Sequence, residues 1–380
     1  MIEIPAVNVA DETPAPPRSM SRIGVRRPTR QVNVGGIKVG GGAPISVQTM
    51  TKTKTGDVRA TVQQIIVAAE AGCDIVRVTV NDKEAAEAIR EIVRQSPIPV
   101  VADIHFNHVF ALKSVEASVA KVRLNPGNIG NRDRIHQVLS AAKDKGIPIR
   151  IGVNSGSLEE DILNKHGYPT AEALFESAMR HVEICDEFNF KDVIISVKST
   201  DVRLMVEAYR LVAKRTDIPL HLGVTEAGPT RVGTIKSAVG IGALLAEGIG
   251  DTIRVSLTDE PVKEVEVGKE ILRSLGLTSR NVELIACPTC GRLEVDLFGI
   301  MGELEKRLEG VKKPVKIAVL GCVVNGPGEA SEADIGLAAG KGVGILYRKG
   351  EVVRRVKESE IVDVIVEEVR NFKPEGEERT

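Results

Sequence analysis

Eight short runs of apolar, mostly β-branched residues recur between residues 45 and 256, and this rhythm limits the possible fold more than any other feature. Each run ends in polar residues, and an amphipathic stretch of helical length follows it. Eight strand–helix units in sequence predict a closed parallel (β/α)8 barrel of the TIM type. An open doubly wound sheet is the alternative, but no Gly-x-Gly-x-x-Gly motif opens a helix after the first run. The predicted strands are 45–49, 73–79, 98–103, 119–125, 147–154, 192–198, 218–225 and 251–256.

The segments on either side of this repeat divide the chain into domains. Residues 1–30 are rich in proline and arginine and poor in apolar side chains, which predicts a flexible N-terminal arm. Residues 31–43 alternate apolar and polar side chains around Gly35-Gly36, which indicates a hairpin that would close the bottom of the barrel. We predict the barrel at 31–278 and a second domain at 279–380. The predicted helices are 58–71, 83–95, 132–145, 172–187, 202–215, 234–247 and 261–275 in the barrel, and 293–308 and 361–372 beyond it.

Three cysteines in the last quarter of the chain form a candidate metal centre. Cys287 and Cys290 make a Cys-x-x-Cys pair, and Cys322 lies in a Gly/Pro-rich stretch. Such a set can hold an iron–sulfur cluster or a zinc ion, and both usually need four ligands. No histidine follows His221, which excludes a local Cys3His zinc site and leaves a ligand of another type, an open position or a ligand from elsewhere in the chain. Glu329, seven residues after Cys322, is the leading candidate. The pattern favours iron–sulfur over zinc, and over thiols that serve only packing or redox chemistry.

The composition argues against several classes of function. Aromatic residues make up 3% of the chain, Trp is absent and the net charge is −1, so a base-stacking or strongly basic nucleic-acid surface is not expected. No apolar run is long enough to span a membrane, and no signal-peptide pattern is present. Five cysteines without a regular framework indicate reduced thiols and a cytoplasmic protein. Cys73 and Cys185 are predicted to be core residues.

Polar side chains collect at the carboxyl ends of the predicted strands, where barrels of this type carry their active sites. Residues two or four apart on a strand face the same side, so five cations are expected to converge in the lumen. The free energy of burying so many unpaired charges is prohibitive. A bound polyanion such as a phosphate ester is the simplest way to neutralise them. The alternative is that some of these cations are paired within the barrel floor or point outward. The cations are Arg77, Arg123, Arg150, Lys198 and Arg254, and the other polar residues are Thr79, Asp103, His105, Asn125, Asn154, Ser196, Thr225, Glu226 and Ser256.

The connection between the two domains has a consequence for assembly. The last barrel helix, 261–275, would descend about 20 Å to the bottom of the barrel. A linker of about five residues spans at most ~18 Å, too little to return over the rim. We therefore predict a symmetric head-to-tail homodimer in which the second domain covers the barrel mouth of the other protomer.

On its motifs the chain resembles the bacterial 4-hydroxy-3-methylbut-2-enyl diphosphate synthases, in their two-domain form, of the methylerythritol phosphate route to isoprenoids. The similarity covers nearly the whole chain after residue 30. The motifs are SVQTMT at 46–51, DVRAT at 57–61, IVRVTV at 75–80, VADIHF at 101–106, RLNPGN at 123–128, IRIGVN at 149–154, GVTEAGP at 223–229, and the set Cys287, Cys290, Cys322 and Glu329.

This resemblance implies an α/β TIM-type barrel followed by a small α+β iron–sulfur domain like that of sulfite and nitrite reductases. It implies a [4Fe-4S] cluster on Cys287, Cys290, Cys322 and an exchangeable Glu329, with flavodoxin or ferredoxin as the electron donor. The substrate would be 2-C-methyl-D-erythritol 2,4-cyclodiphosphate, and Glu226 would be the proton donor or a hydrogen-bonding acid near its reacting carbons. The residues implied to bind the substrate are Arg77, Asp103, Arg123, Arg150, Asn154, Lys198, Arg254 and Ser256.

Two other hypotheses predict different chemistry for the same features. One is a barrel enzyme that acts on another phosphate ester or a pterin-like substrate and carries a zinc or regulatory cluster domain. The other is a non-catalytic iron–sulfur sensor. The colour and metal content of the protein purified without oxygen separate these hypotheses.

Overall fold

The structure is a computed structural model that describes residues 25–278, 282–311, 313–322 and 324–373. The chain forms two compact units that divide after Thr278. Most of the predicted N-terminal arm, residues 1–24, lies outside the described residues.

The first unit contains a two-stranded hairpin and a barrel of eight parallel strands, as predicted. The barrel strands pair in sequence order, and the last pairs with the first. A bridge between Ile195 and Leu220 closes the ring where the Ile195 N–H donates to the Pro219 carbonyl at 3.0 Å. The strands are β1 (Gln31–Val34), β2 (Ile37–Gly40), β3 (Ser46–Met50), β4 (Ile75–Thr79), β5 (Val100–Asp103), β6 (Lys121–Arg123), β7 (Ile149–Asn154), β8 (Val193–Lys198), β9 (His221–Leu222) and β10 (Thr252–Ile253).

The barrel strands are shorter than their sequence patterns predicted. Strands β5 and β7 begin directly after Pro99 and Pro148, since proline has no N–H to donate to a neighbouring strand. At β9 and β10 the buried alternation continues through Val224 and Val255, although the paired residues end earlier. Apolar periodicity reports burial, which here extends beyond the hydrogen-bonded ladder.

Nine helices surround the strands of this unit in the described part of the chain. The seven predicted ones are confirmed, and α8 begins four residues earlier than expected. Two short helices, α3 and α5, were not predicted because seven to nine residues give little periodic signal. The helices are α1 (Val58–Glu70), α2 (Lys83–Gln95), α3 (His108–Glu116), α4 (Arg132–Asp144), α5 (Glu160–His166), α6 (Ala171–Glu187), α7 (Val202–Arg215), α8 (Thr230–Ala246) and α9 (Pro261–Ser274).

The hairpin closes the amino-terminal end of the barrel, as its sequence predicted. Val32, Val34 and Val39 pack in one cluster with Ile75 and other apolar residues near the starts of the barrel strands. Apolar side chains therefore fill the bottom of the lumen, and polar side chains fill the part above.

The second unit is a five-stranded mixed sheet with helices on both faces, which agrees with the predicted α+β domain. Strands β11 to β13 are parallel, and β14 and β15 continue the sheet antiparallel. The elements are β11 (Glu283–Ala286), α10 (Leu297–Leu308), β12 (Lys316–Leu320), α11 (Gly326–Ser331), β13 (Ile335–Gly340), β14 (Val343–Arg348), β15 (Glu351–Lys357) and α12 (Ile361–Asn371).

Two details of this unit differ from the prediction. Helix α10 begins four residues later than expected, because the Asp296 side chain accepts from the Gly299 N–H and caps it there. The Gly/Pro-rich segment after Cys322, whose composition is typical of a loop, contains α11, in which Pro327 occupies the first turn. In the part of the chain that the structure describes, no helix is both long enough and apolar enough to cross a bilayer.

Candidate active site

A polar pocket of about 100 Å³ lies at the carboxyl ends of the barrel strands. All five cations that the sequence placed in the lumen line it. A second cavity of about 450 Å³ shares His105, Arg123, Asn154 and Thr225 with this pocket and is also lined by Asn125 and Glu226. We call the first the inner pocket and the second the mouth cavity. The inner pocket is lined by Arg77, Asp103, His105, Arg123, Arg150, Gly152, Asn154, Ser196, Lys198, Thr225 and Arg254.

The inner pocket holds more positive than negative charge. Asp103 forms ion pairs with two of these cations, Arg123 Nη1 at 3.2 Å and Arg77 Nε at 3.5 Å. Arg254 lies 3.9 Å from Glu264, a carboxylate outside the pocket lining. Arg150 and Lys198 make no ion pair with any residue that the structure describes, and Arg150 Nη1 donates only to Ser196 Oγ at 2.7 Å. Five cations against two carboxylates make a site for an anion.

Two glycines make room for these long side chains. A Cβ at Gly152 would collide with Arg123 Nε, and one at Gly223 would lie 2.5 Å from the Arg254 carbonyl and 2.7 Å from Lys198 Nζ. Neither glycine has a positive φ, so the requirement is space and not backbone conformation. Glycine at a strand position often marks such a close approach.

The pKa values of the pocket residues report the same imbalance. Burial and the neighbouring Arg150 and Arg254 lower the pKa of Lys198 well below its usual value. Burial also lowers the pKa of Arg77 to about 10, although Asp103 opposes this. Burial alone would raise the pKa of Asp103, but Arg77 and Arg123 bring it down to about 2. A bound anion would favour the charged forms of the cations.

Glu226 lies at the mouth with an unusual backbone. It follows β9, its side chain is exposed, and it lines the mouth cavity. Its φ of 51° places a non-glycine residue in the left-handed region. Such conformations cluster at functional sites because the surrounding structure must hold them. The loop therefore holds the backbone of Glu226 in one conformation at the mouth.

Other predicted residues of the site lie in different positions. His105 lines both cavities, and burial lowers its pKa although Asp103 opposes the shift. Ser256 is half-buried and lines neither cavity, and His221 is fully buried.

Two buried charged residues near the site, Lys121 and Glu264, were not among the predicted site residues. Lys121 stands two residues before Arg123, so strand alternation could have placed it in the lumen. Glu264 accepts from Thr49 Oγ1 at 2.6 Å and from the Leu257 N–H at 3.0 Å. Glu264 lies at the helical spacing of the buried face of α9, with Pro261, Val265, Gly268 and Leu272, so helical periodicity could have placed it inside.

In the second unit, the three predicted cysteine ligands line a single cavity of about 130 Å³. Cys287 directly follows β11 and Cys322 follows β12, and these strands are parallel neighbours in register. Their carboxyl ends therefore bring the two thiols to the same edge of the sheet. Thr289, at a φ of 52°, turns the chain so that Cys290 lines the cavity as well.

The chemistry of these thiols suits a metal–sulfur centre. A hydrogen bond with Arg292 lowers the pKa of Cys290, and backbone N–H groups of Asn325 and Val324 lower the pKa of Cys322. Both effects favour thiolates, the form that binds metal. By contrast, burial raises the pKa of Cys73 and of Cys185 to about 12, and both are core residues as predicted.

Glu329 does not line the cysteine cavity. It lies on α11, its side chain is exposed, and its carboxylate has no ion pair or hydrogen bond with a described residue. Across 25–278 and the described parts of 282–373, no three His, Cys, Asp or Glu side chains are already grouped as a metal site. The three cysteines fit a sulfur-bound cluster, and Glu329 is a free carboxylate on the helix that follows Cys322.

Comparison with known proteins gives matches over both units. Residues 29–269 match the GcpE TIM-barrel domain, and residues 283–371 match the GcpE protein C-terminal domain. A protein of Clostridium perfringens is 57% identical over 90% of this chain and 98% of its own length. One of Clostridium tetani is 54% identical over 91% and 99%, and one of Symbiobacterium thermophilum is 56% identical over 90% and 92%. All three are named 4-hydroxy-3-methylbut-2-en-1-yl diphosphate synthase (flavodoxin).

Proposed function

Since this chain belongs to the GcpE family, we propose that its inner pocket binds the diphosphate of 2-C-methyl-D-erythritol 2,4-cyclodiphosphate. The chain is an iron–sulfur oxidoreductase that opens this ring reductively, removes water and forms 4-hydroxy-3-methylbut-2-enyl diphosphate for isoprenoid synthesis. The observation that supports the pocket's role is the charge excess around it, above all the unpaired Arg150 and Lys198. The cyclic diphosphate carries negative charge on two phosphoryl groups and would neutralise this excess positive charge.

The proposed substrate contacts divide by chemistry. Arginine forks and the Lys198 ammonium hold the diphosphate oxygens, and Asp103 orients Arg77 and Arg123 between them. Asn154 offers an amide where the inner pocket meets the mouth cavity. Ser256 would join the site only if its loop moved toward the bound substrate. The proposed substrate-binding residues are Arg77, Asp103, Arg123, Arg150, Asn154, Lys198, Arg254 and Ser256.

The cofactor we propose is a [4Fe-4S] cluster held by Cys287, Cys290, Cys322 and Glu329. When bound, such a cluster supplies electrons one at a time and an iron that acts as a Lewis acid. Three thiolates and one free carboxylate suit a centre with one exchangeable position. Flavodoxin, which the relatives' names carry, is the proposed electron donor, and ferredoxin is the alternative. Reduced thiols and this chemistry suggest a cytoplasmic protein.

The side chains of the barrel have two tasks in this reaction. The cations fix the diphosphate and stabilise the negative charge that grows on it when the ring carbon–oxygen bond breaks. Glu226, at the mouth, holds a proton near the carbons and the departing hydroxyl. The low pKa of Asp103 keeps this residue an anion, so it positions cations and does not donate protons.

An anaerobic assay tests this function. We expect protein purified without oxygen to be brown, to bleach with dithionite, and to consume the cyclodiphosphate in the presence of a reductant. Colourless protein with stoichiometric zinc would instead indicate a barrel enzyme with a structural metal domain. Brown protein that leaves the substrate intact would indicate a sensor. Glu329→Ala is an informative variant, because it should keep the three thiolates but lose most turnover.

We also propose the head-to-tail homodimer, and one surface of the barrel supports a contact between copies. Val232, Ile235 and Val239 of α8 are 49%, 57% and 58% exposed and follow one face of the helix. An exposed apolar stripe of this kind is typical of an interface.

Mixing two inactive variants tests whether one protomer serves the other. The Glu226→Gln variant loses the proposed acid at the barrel mouth, and the Cys322→Ala variant loses a proposed cluster ligand. In the proposed arrangement, each active site combines the barrel of one protomer with the second domain of the other. A mixed dimer therefore has one site in which both parts are intact. We expect about a quarter of wild-type activity after random exchange of subunits. No regained activity in verified heterodimers would contradict the arrangement.

A further inference from the structure

A cluster of polar side chains lies deeper in the lumen than the inner pocket. Lys121, Gln48 and His221 have no exposed surface and do not line the pocket. Lys121 precedes Arg123 by two residues and His221 precedes Thr225 by four, so each faces the lumen one or two layers below a pocket residue. Arg150 joins the cluster to the pocket because it lines the pocket and lies close to both Lys121 and His221.

This cluster contains no acid. Among the described residues, Lys121 Nζ donates one hydrogen bond, to Gln48 Oε1 at 3.4 Å, and no carboxylate pairs with it. The charged groups that face Lys121 are Arg77 from β4 and Arg150 from β7, and His221 faces it from β9. Several buried side-chain nitrogens here make no hydrogen bond with a described residue: Gln48 Nε2, Arg150 Nε and Nη2, and both ring nitrogens of His221. A permanent ammonium in such surroundings would be prohibitively costly.

We propose that Lys121 is a proton-accepting positioning residue, neutral in the free enzyme and protonated when a diphosphate occupies the inner pocket. The inference rests on the proposed function, because it needs an anion above Arg150. The anion offsets the charge of Arg150 and Lys198. A protonated Lys121 is then repelled less by its neighbours than in the free enzyme. The new charge then draws the diphosphate toward the barrel floor and holds it in place.

The titration behaviour of the cluster agrees with this geometry. Burial and the cations Arg150 and Arg77 lower the pKa of Lys121 well below its usual value. Burial and the neighbouring cations, Arg150 and Lys198 first, do the same to the pKa of His221. A base whose pKa rises on binding takes up a proton, and its contribution to affinity falls as the pH rises. For each proton taken up, the affinity falls about tenfold per pH unit between the pKa of the base in the free enzyme and its pKa in the complex.

Calorimetry of the anaerobic holoenzyme with inorganic pyrophosphate tests the proposal. The titration is repeated in buffers of one pH and different ionisation enthalpies, above the last pKa of pyrophosphate, so that only the protein can gain protons. We expect net proton uptake by the wild type and about one proton less in Lys121→Met. Lys121→Arg keeps the charge permanently and should also lose about one proton of uptake, while it still binds pyrophosphate.

The control is Lys269→Met, which removes a lysine paired with Asp74 on the outside of the barrel and should leave the proton count unchanged. A purely structural Lys121 would alter stability or affinity but leave the proton count of both variants at the wild-type value. That result, or wild-type binding without proton uptake, overturns the inference and leaves the proposed function intact. Failure of the wild type to bind pyrophosphate at all would contradict both.

Discussion

Cys322→Ala should yield a colourless protein without turnover. Cys322 lines one cavity with Cys287 and Cys290, and backbone N–H groups favour its thiolate. Its loss leaves a Cys-x-x-Cys pair that cannot hold a cubic cluster by itself. Iron and sulfide content and the visible spectrum of protein purified without oxygen measure the effect. We expect less than a tenth of the wild-type iron and no detectable product, because the reaction has no other source of electrons.

The matched control is Cys185→Ala, which removes a buried thiol of the barrel. The side chain of Cys185 packs in the apolar core, and burial keeps this thiol protonated. That variant should keep the full iron content and the colour, with a free energy of unfolding lowered by about 1 kcal/mol for the lost sulfur contacts. The Cys322→Ala protein should still bind pyrophosphate if the barrel pocket alone holds the diphosphate. Brown, active Cys322→Ala protein would remove Cys322 from the ligand set.

Much of the fold could be predicted because the signals are local and repeated. Apolar runs followed by helices recur along the barrel, and Asp57, Asp82 and Asn131 each cap a helix where the pattern starts one. The elements that escaped prediction are short. Helix α11 has six residues and begins Gly-Pro-Gly, a composition that describes a turn equally well. Its tertiary contacts, such as the burial of Ala330 against the sheet, decide between the two.

The polar end of the lumen could be predicted for the same reason, and its deeper part could not. Alternation places Arg123 and Arg150 on inward positions, and the parallel barrel brings all strand ends together. Lys121 obeys the same alternation, so its inward position was predictable, but only its complete burial shows that it lies below the pocket. Glu264 is a comparable case, because its carboxylate accepts hydrogen bonds from Thr49 Oγ1 and from the Leu257 N–H. Neither partner can be recognised from the sequence. Partners of buried charges depend on packing, which single-sequence patterns do not encode.

Glu226→Gln should reduce the turnover number by about 10³-fold, within the range that positioned acid–base groups contribute. The amide has the shape of the carboxylic acid and can still donate a hydrogen bond, but it cannot release a proton. The exposed carboxylate lines the mouth cavity and not the inner pocket, so the cations keep their hold on the diphosphate. We therefore expect the pyrophosphate dissociation constant to stay within about twofold of the wild-type value, while the turnover number falls.

Two further variants separate proton transfer from loop geometry. Glu116→Gln changes an exposed carboxylate at the end of α3 and should leave both constants unchanged. Glu226→Gly relieves the left-handed backbone but removes the acid, so it should be as inactive as the glutamine variant although its loop is less strained. If instead Glu226→Gln kept most of its turnover and only Glu226→Gly lost it, the residue would serve the loop's conformation. Protons would then have to reach the departing hydroxyl from another group that lines the mouth cavity, and His105, which borders both cavities, would be the first to test.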